Sequence, residues 1–133
     1  MGISANELRI GNFVHWCGCP YHISKIDGNI YSIDLNLIAT VSVMPGLNNG
    51  VSPIPLTEEW LTKFGFEEDA ESKSWAILTT LEKFDYQFEV SNKYQEHFQP
   101  DFLRIDIKYV HQLQNLYFAL TGIELQLTNN QKQ

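Results

Sequence analysis

Positive charge is scarce in this chain. Nine lysines and arginines stand against sixteen aspartates and glutamates, a formal net charge of −7 over 133 residues. A duplex-binding protein draws most of its affinity from neutralising phosphates, so it usually carries a basic stripe. Here the cations are scattered, at Arg9, Lys25, Lys63, Lys73, Lys83, Lys93, Arg104, Lys108 and Lys132. Direct nucleic-acid binding is therefore not expected. Long apolar runs are lacking too. Spanning a bilayer takes about eighteen consecutive apolar residues, and no run approaches that, so no membrane contact is expected. The opening MGISANELRI has no basic segment leading into an apolar one, so no secretory leader is expected. Asn6 stands where N-myristoylation wants Ser or Thr. A cytoplasmic location follows as the expectation.

Catalytic signatures are also missing. The chain has no phosphate-cradling glycine loop, nucleophile elbow, HExxH or paired CxxC, and nothing nominates it as an enzyme or calls for a cofactor. There are no repeats, and the polar end TNNQKQ is the one compositionally simple tract. What is present is a hydrophobic share of 44% with 13% aromatics, the composition of a globular protein rather than a disordered one. The length suits one domain able to bury a core without staples.

Three blocks follow along the chain, together an α+β fold. From about residue 5 to 44 the pattern is β: strands at Ile10–Trp16, Tyr21–Ile26, Asn29–Leu35 and Leu37–Met44, with Asp27-Gly28 as a tight-hairpin signal. Such strands predict a small curled antiparallel sheet, SH3-like by analogy. Residues 45–65 supply a turn-rich loop, Pro45–Pro55, and a short helix capped by Thr57 and ended by Gly65. Leu56 and Leu61 fit a hydrophobic staple, and Trp60, Leu61 and Phe64 form the inner face. Residues 66–127 read as a meander followed by an amphipathic helix, and 128–133 as a frayed tail. In FDYQFEV, Phe84, Tyr86, Phe88 and Val90 share one face, and Leu103, Ile105 and Ile107 alternate likewise. The period then becomes helical: Val110, Leu113, Leu116, Tyr117 and Leu120 make one stripe, and Gly122 stops it. Ile123–Leu127 is expected as a last strand.

The densest chemistry lies in FVHWCGCPYHI, where His15, Cys17, Cys19 and His22 fall within eight positions. With Cys17–Pro20 as the loop, Trp16 faces Tyr21 and His15 faces His22, and alternation places Val14, Trp16, Tyr21 and Ile23 on a core face. Zinc accepts such ligands, but structural zinc usually joins two separated pairs, and four ligands from one hairpin close almost no loop. A Cys17–Cys19 disulfide would close a tiny strained ring. A thiolate activated by His15 is the remaining reactive pairing. The leading expectation is a plain turn with exposed histidines, and a metal site at His15, Cys17, Cys19 and His22 is the alternative. The carboxylates Glu58, Glu59, Glu67, Glu68, Asp69 and Glu71 flank turns and read as solvated surface. On the last helix, His111 and Asn115 lie four apart, with Gln114 and Phe118 beside them. Side-chain amides in that arrangement can read a peptide backbone, so His111, Gln114, Asn115 and Phe118 are the candidate partner-binding residues. The other reading is a polar face satisfied within the chain.

PIPLTEEWLTKFGF (Pro53–Phe66) and IKYVHQLQNLYFALTGIEL (Ile107–Leu125) resemble the signature blocks of a family of small uncharacterised proteins. These occur in anaerobic gut bacteria, their phages and integrated elements. ANELRIGNFV (Ala5–Val14) resembles that family's usual opening, and the three blocks cover about a third of the chain. The Cys-Gly-Cys tip departs from the pattern. The resemblance implies a mobile-element setting and carries no activity. The expectation is a non-enzymatic accessory protein binding a protein partner, with homo-oligomerisation through open meander edges also allowed. The alternatives are an enzyme, metal-dependent or acting on a small molecule through the His/Cys hairpin, and an acidic nucleic-acid mimic.

Overall fold

The computed structural model describes residues 7–28, 30–35, 40–43, 51–69, 71–81, 85–91, 97–100 and 105–128. The chain is α+β and divides into two compact units. The first comprises Met1–Pro55 with Tyr109–Asn115, and the second Leu56–Lys108 with Leu116–Gln133.

The first unit is a curled antiparallel sheet of β1 (Phe13–Trp16), β2 (Cys19–Asp27), β3 (Ile30–Asp34), β4 (Thr40–Val43) and β5 (Val51–Ser52), in the order β4-β3-β2-β1-β5. Its inner face packs Val14, Ile23, Tyr31, Ile33, Val43 and Val51 around Leu8. A register shift between Ile23 and Lys25 marks a bulge in the long β2, the usual means by which a strand bends and twists more strongly. The Asp27-Gly28 signal holds: Asp27 pairs with Ile30, and Gly28 takes φ 63. Strand β4 confirms part of the expected Leu37–Met44, whose residues 37–39 and 44 lie outside the described residues.

Two expectations for this unit change. The first strand starts at Phe13 rather than Ile10, because Gly11 at φ 98 turns the chain just before it. The hairpin tip is also tighter than the residue types suggested. Trp16 pairs with Cys19, His15 with Pro20, Val14 with Tyr21 and Phe13 with His22. The loop is thus Cys17-Gly18 alone, with φ 53 and φ 83. Positive φ at both central residues matches the type I′ turn, whose twist suits the flanking strands. A four-residue loop through Pro20 and a His15–His22 pair are both ruled out, although the core face is as expected. A further strand, β5, lies inside the presumed loop. Val51, at 1% exposure, pairs with Trp16, but two residues between Gly50 and Pro53 show no alternation to read.

The second unit holds α1 (Glu58–Lys63), β6 (Glu67–Asp69), β7 (Ser74–Thr80), β8 (Asp85–Ser91) and β9 (Gln99–Pro100), the strands in the order β6-β7-β8-β9. The Thr57 hydroxyl accepts from the Trp60 N–H at 3.3 Å, which satisfies one of the amides a helix start leaves unpaired. Trp60, Leu61 and Phe64 are buried, and the Gly65 N–H donates to the Thr62 carbonyl at φ 94. A side chain at Gly65 would be strained there and would also press on Thr128, 3.0 Å from the Cβ position. In β8, Phe88 and Val90 are buried while Asp85 and Gln87 are exposed, as the alternation requires. Phe88 meets Phe66 and Tyr117 edge-on, at 6.1 and 5.6 Å between ring centroids. The Tyr117 hydroxyl is hydrogen-bonded to Thr79.

Helix α2 (Val110–Thr121) contributes Val110–Asn115 to the first unit and Leu116–Thr121 to the second. Of its expected inner stripe, Val110, Leu113 and Tyr117 are buried, whereas Leu120 is 42% exposed. Gly122 takes φ 74 just beyond the helix end. Neither Ile105 nor Ile123–Leu127 lies in a strand. Ile107 makes an isolated bridge with Phe98, and Leu125 is buried without pairing; burial of single residues mimics alternation in such short stretches. Conversely, Glu67–Asp69 form a strand, though all three carboxylates are exposed as expected. The tail beyond Thr128, and Leu103 and Phe84, lie outside the described residues. No helix among the described residues is long and apolar enough to cross a membrane.

Replacing Thr57 by Ala removes the α1 cap. The variant is expected to lose about 1 kcal/mol of unfolding free energy in urea titrations, with the slope of the transition unchanged.

Candidate functional site

The helix amides do read a peptide backbone, and it is the chain's own. Within the first unit the Gln114 Oε1 accepts from the Phe13 N–H at 2.9 Å, and its Nε2 donates to the Gly11 carbonyl at 3.0 Å. Asn115 Oδ1 accepts from the Asn12 side chain at 2.9 Å, and Asn115 Nδ2 donates to the Glu7 carbonyl at 3.1 Å. The segment is shaped for this by a β-turn. The Asn12 N–H donates to the Arg9 carbonyl at 3.0 Å, and Gly11 occupies the third position at φ 98, which glycine alone adopts without strain. The Asn12 side chain returns the favour locally, its Oδ1 accepting from the Arg9 N–H at 2.7 Å. The sequence LRIGNF is thus a turn followed by a strand start, held by Gln114 and Asn115 of one helix.

Spacing explains why these helix residues converge. His111, Gln114 and Asn115 stand at i, i+3 and i+4, which share a face. The helix start is fixed in the same unit by the Val110 N–H donating to Ile54 and by the Gln112 side chain accepting from the Tyr109 N–H. His111 is 2% exposed and stacks on Tyr109, with rings 5.9 Å apart and 9° from parallel. Its Nε2 lies 3.6 Å from Glu7 Oε1, an electrostatic separation longer than a hydrogen bond. Burial disfavours the imidazolium and lowers the His111 pKa, while the Glu7 charge partly opposes that shift. Burial, and then the same Glu7 charge, raises the Tyr31 pKa.

The expected partner-binding set is therefore divided. His111 and Gln114, at 2% and 1% exposure, are buried rather than presented, and Asn115 is half-buried. Phe118, in the second unit, is exposed at 38%. Asn12 was not legible as a contributor, although Gly11-Asn12 carries a turn signal; it is fully buried against Asn115.

The second candidate set is divided as well. Strand pairing puts His15 and His22 on the face of Phe13 and Pro20, whereas Cys19 shares the opposite face with Trp16 and Tyr21. Both cysteines are exposed free thiols. His22 lies 3.5 Å from the Asp34 carboxylate across β2 and β3. No group of three or more His, Cys, Asp and Glu side chains is disposed to hold a metal ion among the described residues. Compared with protein families, curated proteins and solved structures, the chain matches none.

Replacing Gln114 by Leu removes the bonds it makes to the Phe13 N–H and the Gly11 carbonyl. The expected loss is about 2–4 kcal/mol of unfolding free energy. For His111 the sign follows from its lowered pKa. Above the unfolded-state value the imidazole is neutral in both states and its contribution is complete; as pH falls, the unfolded chain takes up the proton first and stability drops. Urea midpoints between pH 7 and pH 5 are expected to fall more steeply for the parent than for His111→Phe.

Proposed function

We propose that the protein is a non-enzymatic accessory protein, of phage or mobile-element origin, that binds a protein partner through an apolar surface in its second unit. The observation behind this reading is the run of exposed large apolar side chains in Phe118–Leu127: Phe118 at 38%, Leu120 at 42%, Ile123 at 39% and Leu127 at 44%. Isolated surface hydrophobes are ordinary, but several along one short stretch, interleaved with Glu124 and Gln126, have the composition of an interface with a polar rim. Phe118 is the aromatic anchor of the four. Two of the four expected partner-binding residues pass out of this surface, since His111 and Gln114 are buried. The genetic setting rests on the resemblance of residues 5–14, 53–66 and 107–125 to proteins of gut anaerobes and their mobile elements.

The test pairs recovery with substitution. Tagged protein retrieves a defined partner from lysate of a gut anaerobe carrying the element, and the partner is then purified and titrated directly. Phe118→Ser with Leu120→Ser is expected to weaken that binding by at least about 10-fold, as loss of a central anchor does, with the thermal midpoint little changed. Equal binding by parent and variant, or concentration-dependent self-association as the sole interaction in sedimentation, contradicts a separate partner at this surface.

A further inference from the structure

The geometry points to a second property, a two-coordinate site for a soft monovalent cation, Cu(I), formed by Cys17 and Cys19 at the β1–β2 turn. Both thiols are free and exposed, with only Gly18 between them: Cys19 closes the ladder opposite Trp16, and Cys17 lies in the turn just beyond that pair. Gly18 leaves the tip open, since a Cβ built there meets nothing within 4 Å. The identity of residue 17 is the telling point. A type I′ turn favours Asn or Gly at its first central position, where φ is positive. Cysteine occupies that position at φ 53, a conformation unfavourable for its side chain.

The chemistry selects among metals. Zinc wants four nitrogen and sulfur donors in a tetrahedron. The tip offers two thiolates, with Cys19 on the opposite face from His15 and His22, and no larger ligand group exists among the described residues. A closed-shell Cu(I) ion is satisfied by two thiolates alone, and soft sulfur ligands prefer it. Binding involves no electron transfer. Each thiol releases one proton to solvent, two Cu–S bonds form, and the neutral dithiol plus Cu⁺ becomes an anionic bis-thiolate complex with two protons liberated. Affinity therefore rises with pH. A disulfide between the same residues, by contrast, would close a small strained ring across one glycine.

The full chain, reduced and kept anaerobic, is titrated with Cu(I) held by a coloured chelating competitor. The expected result is transfer of one Cu(I) per chain without dimerisation, with zinc(II) failing to compete. Cys17→Ser and Cys19→Ser are each expected to weaken binding by roughly 100-fold or more, because the second thiolate acts at high effective concentration. Cys17→Asn separates ligation from folding: Asn suits the turn, so its thermal midpoint is expected to match or exceed the parent's while Cu(I) binding is lost. Cu(I) remaining on the competitor, retention by any of these single variants, or one Cu(I) shared between two chains would overturn the site.

Discussion

Gln114 gives the first unit the hydrogen bonds that its sheet does not. Among the described residues strand β5 reaches β1 at His15 and Trp16, and no strand pairs with the start of β1 on that side. One side-chain amide takes this place. It accepts from the Phe13 N–H and donates to the Gly11 carbonyl, the two groups that a parallel neighbour would take on either side of Asn12. Unpaired backbone groups are costly when removed from water, so helix and strand start depend on each other. Asn115 extends the same device to Asn12 and Glu7. His111 then fills the remaining space beside Glu7 and Tyr109 as a neutral ring.

That dependence joins two stretches separated by about a hundred residues in sequence. LRIGNF contributes a glycine turn and a strand start, and HQLQN contributes a helical face of polar side chains. Each is odd alone, since a buried polar side chain demands partners. Together they supply them for Gln114 and Asn115, whereas both ring nitrogens of His111 are left without a hydrogen bond among the described residues. LRIGNF and HQLQN are thus the two halves of one polar contact, a structural reason for their residue types that needs no ligand. The hairpin tip stands apart from this core, with Cys17 held where the backbone would prefer Asn.

Strong periodicity was legible and weak periodicity was not. Phe88 and Val90, the Thr57 cap, the Asp27-Gly28 turn and the α2 stripe through Tyr117 all follow from spacing, because each involves several residues agreeing on one face. Val51–Ser52 and Glu67–Asp69 are strands too short or too polar to announce themselves, and their neighbours rather than their own composition make them strands. Ile105 and Ile123–Leu127 look like strands by composition but lie outside the strands of the described residues. The site residues show the same division. HQLQN could be placed on one helical face, and its capacity to read a backbone was evident. Which backbone it reads depends on a long-range contact, and the buried Asn12 that completes it leaves no local trace beyond a turn signal.

The helix–segment contact is most directly observed by residue-resolved amide hydrogen exchange at Phe13. With Gln114 accepting from this N–H, its exchange is slowed well beyond that of the neighbouring exposed amides at Cys17 and Gly18, and Gln114→Leu restores rapid exchange at Phe13 while protection in β7 and β8 persists. Fast exchange of the Phe13 amide in the intact, folded chain would contradict the dependence of the strand start on the helix.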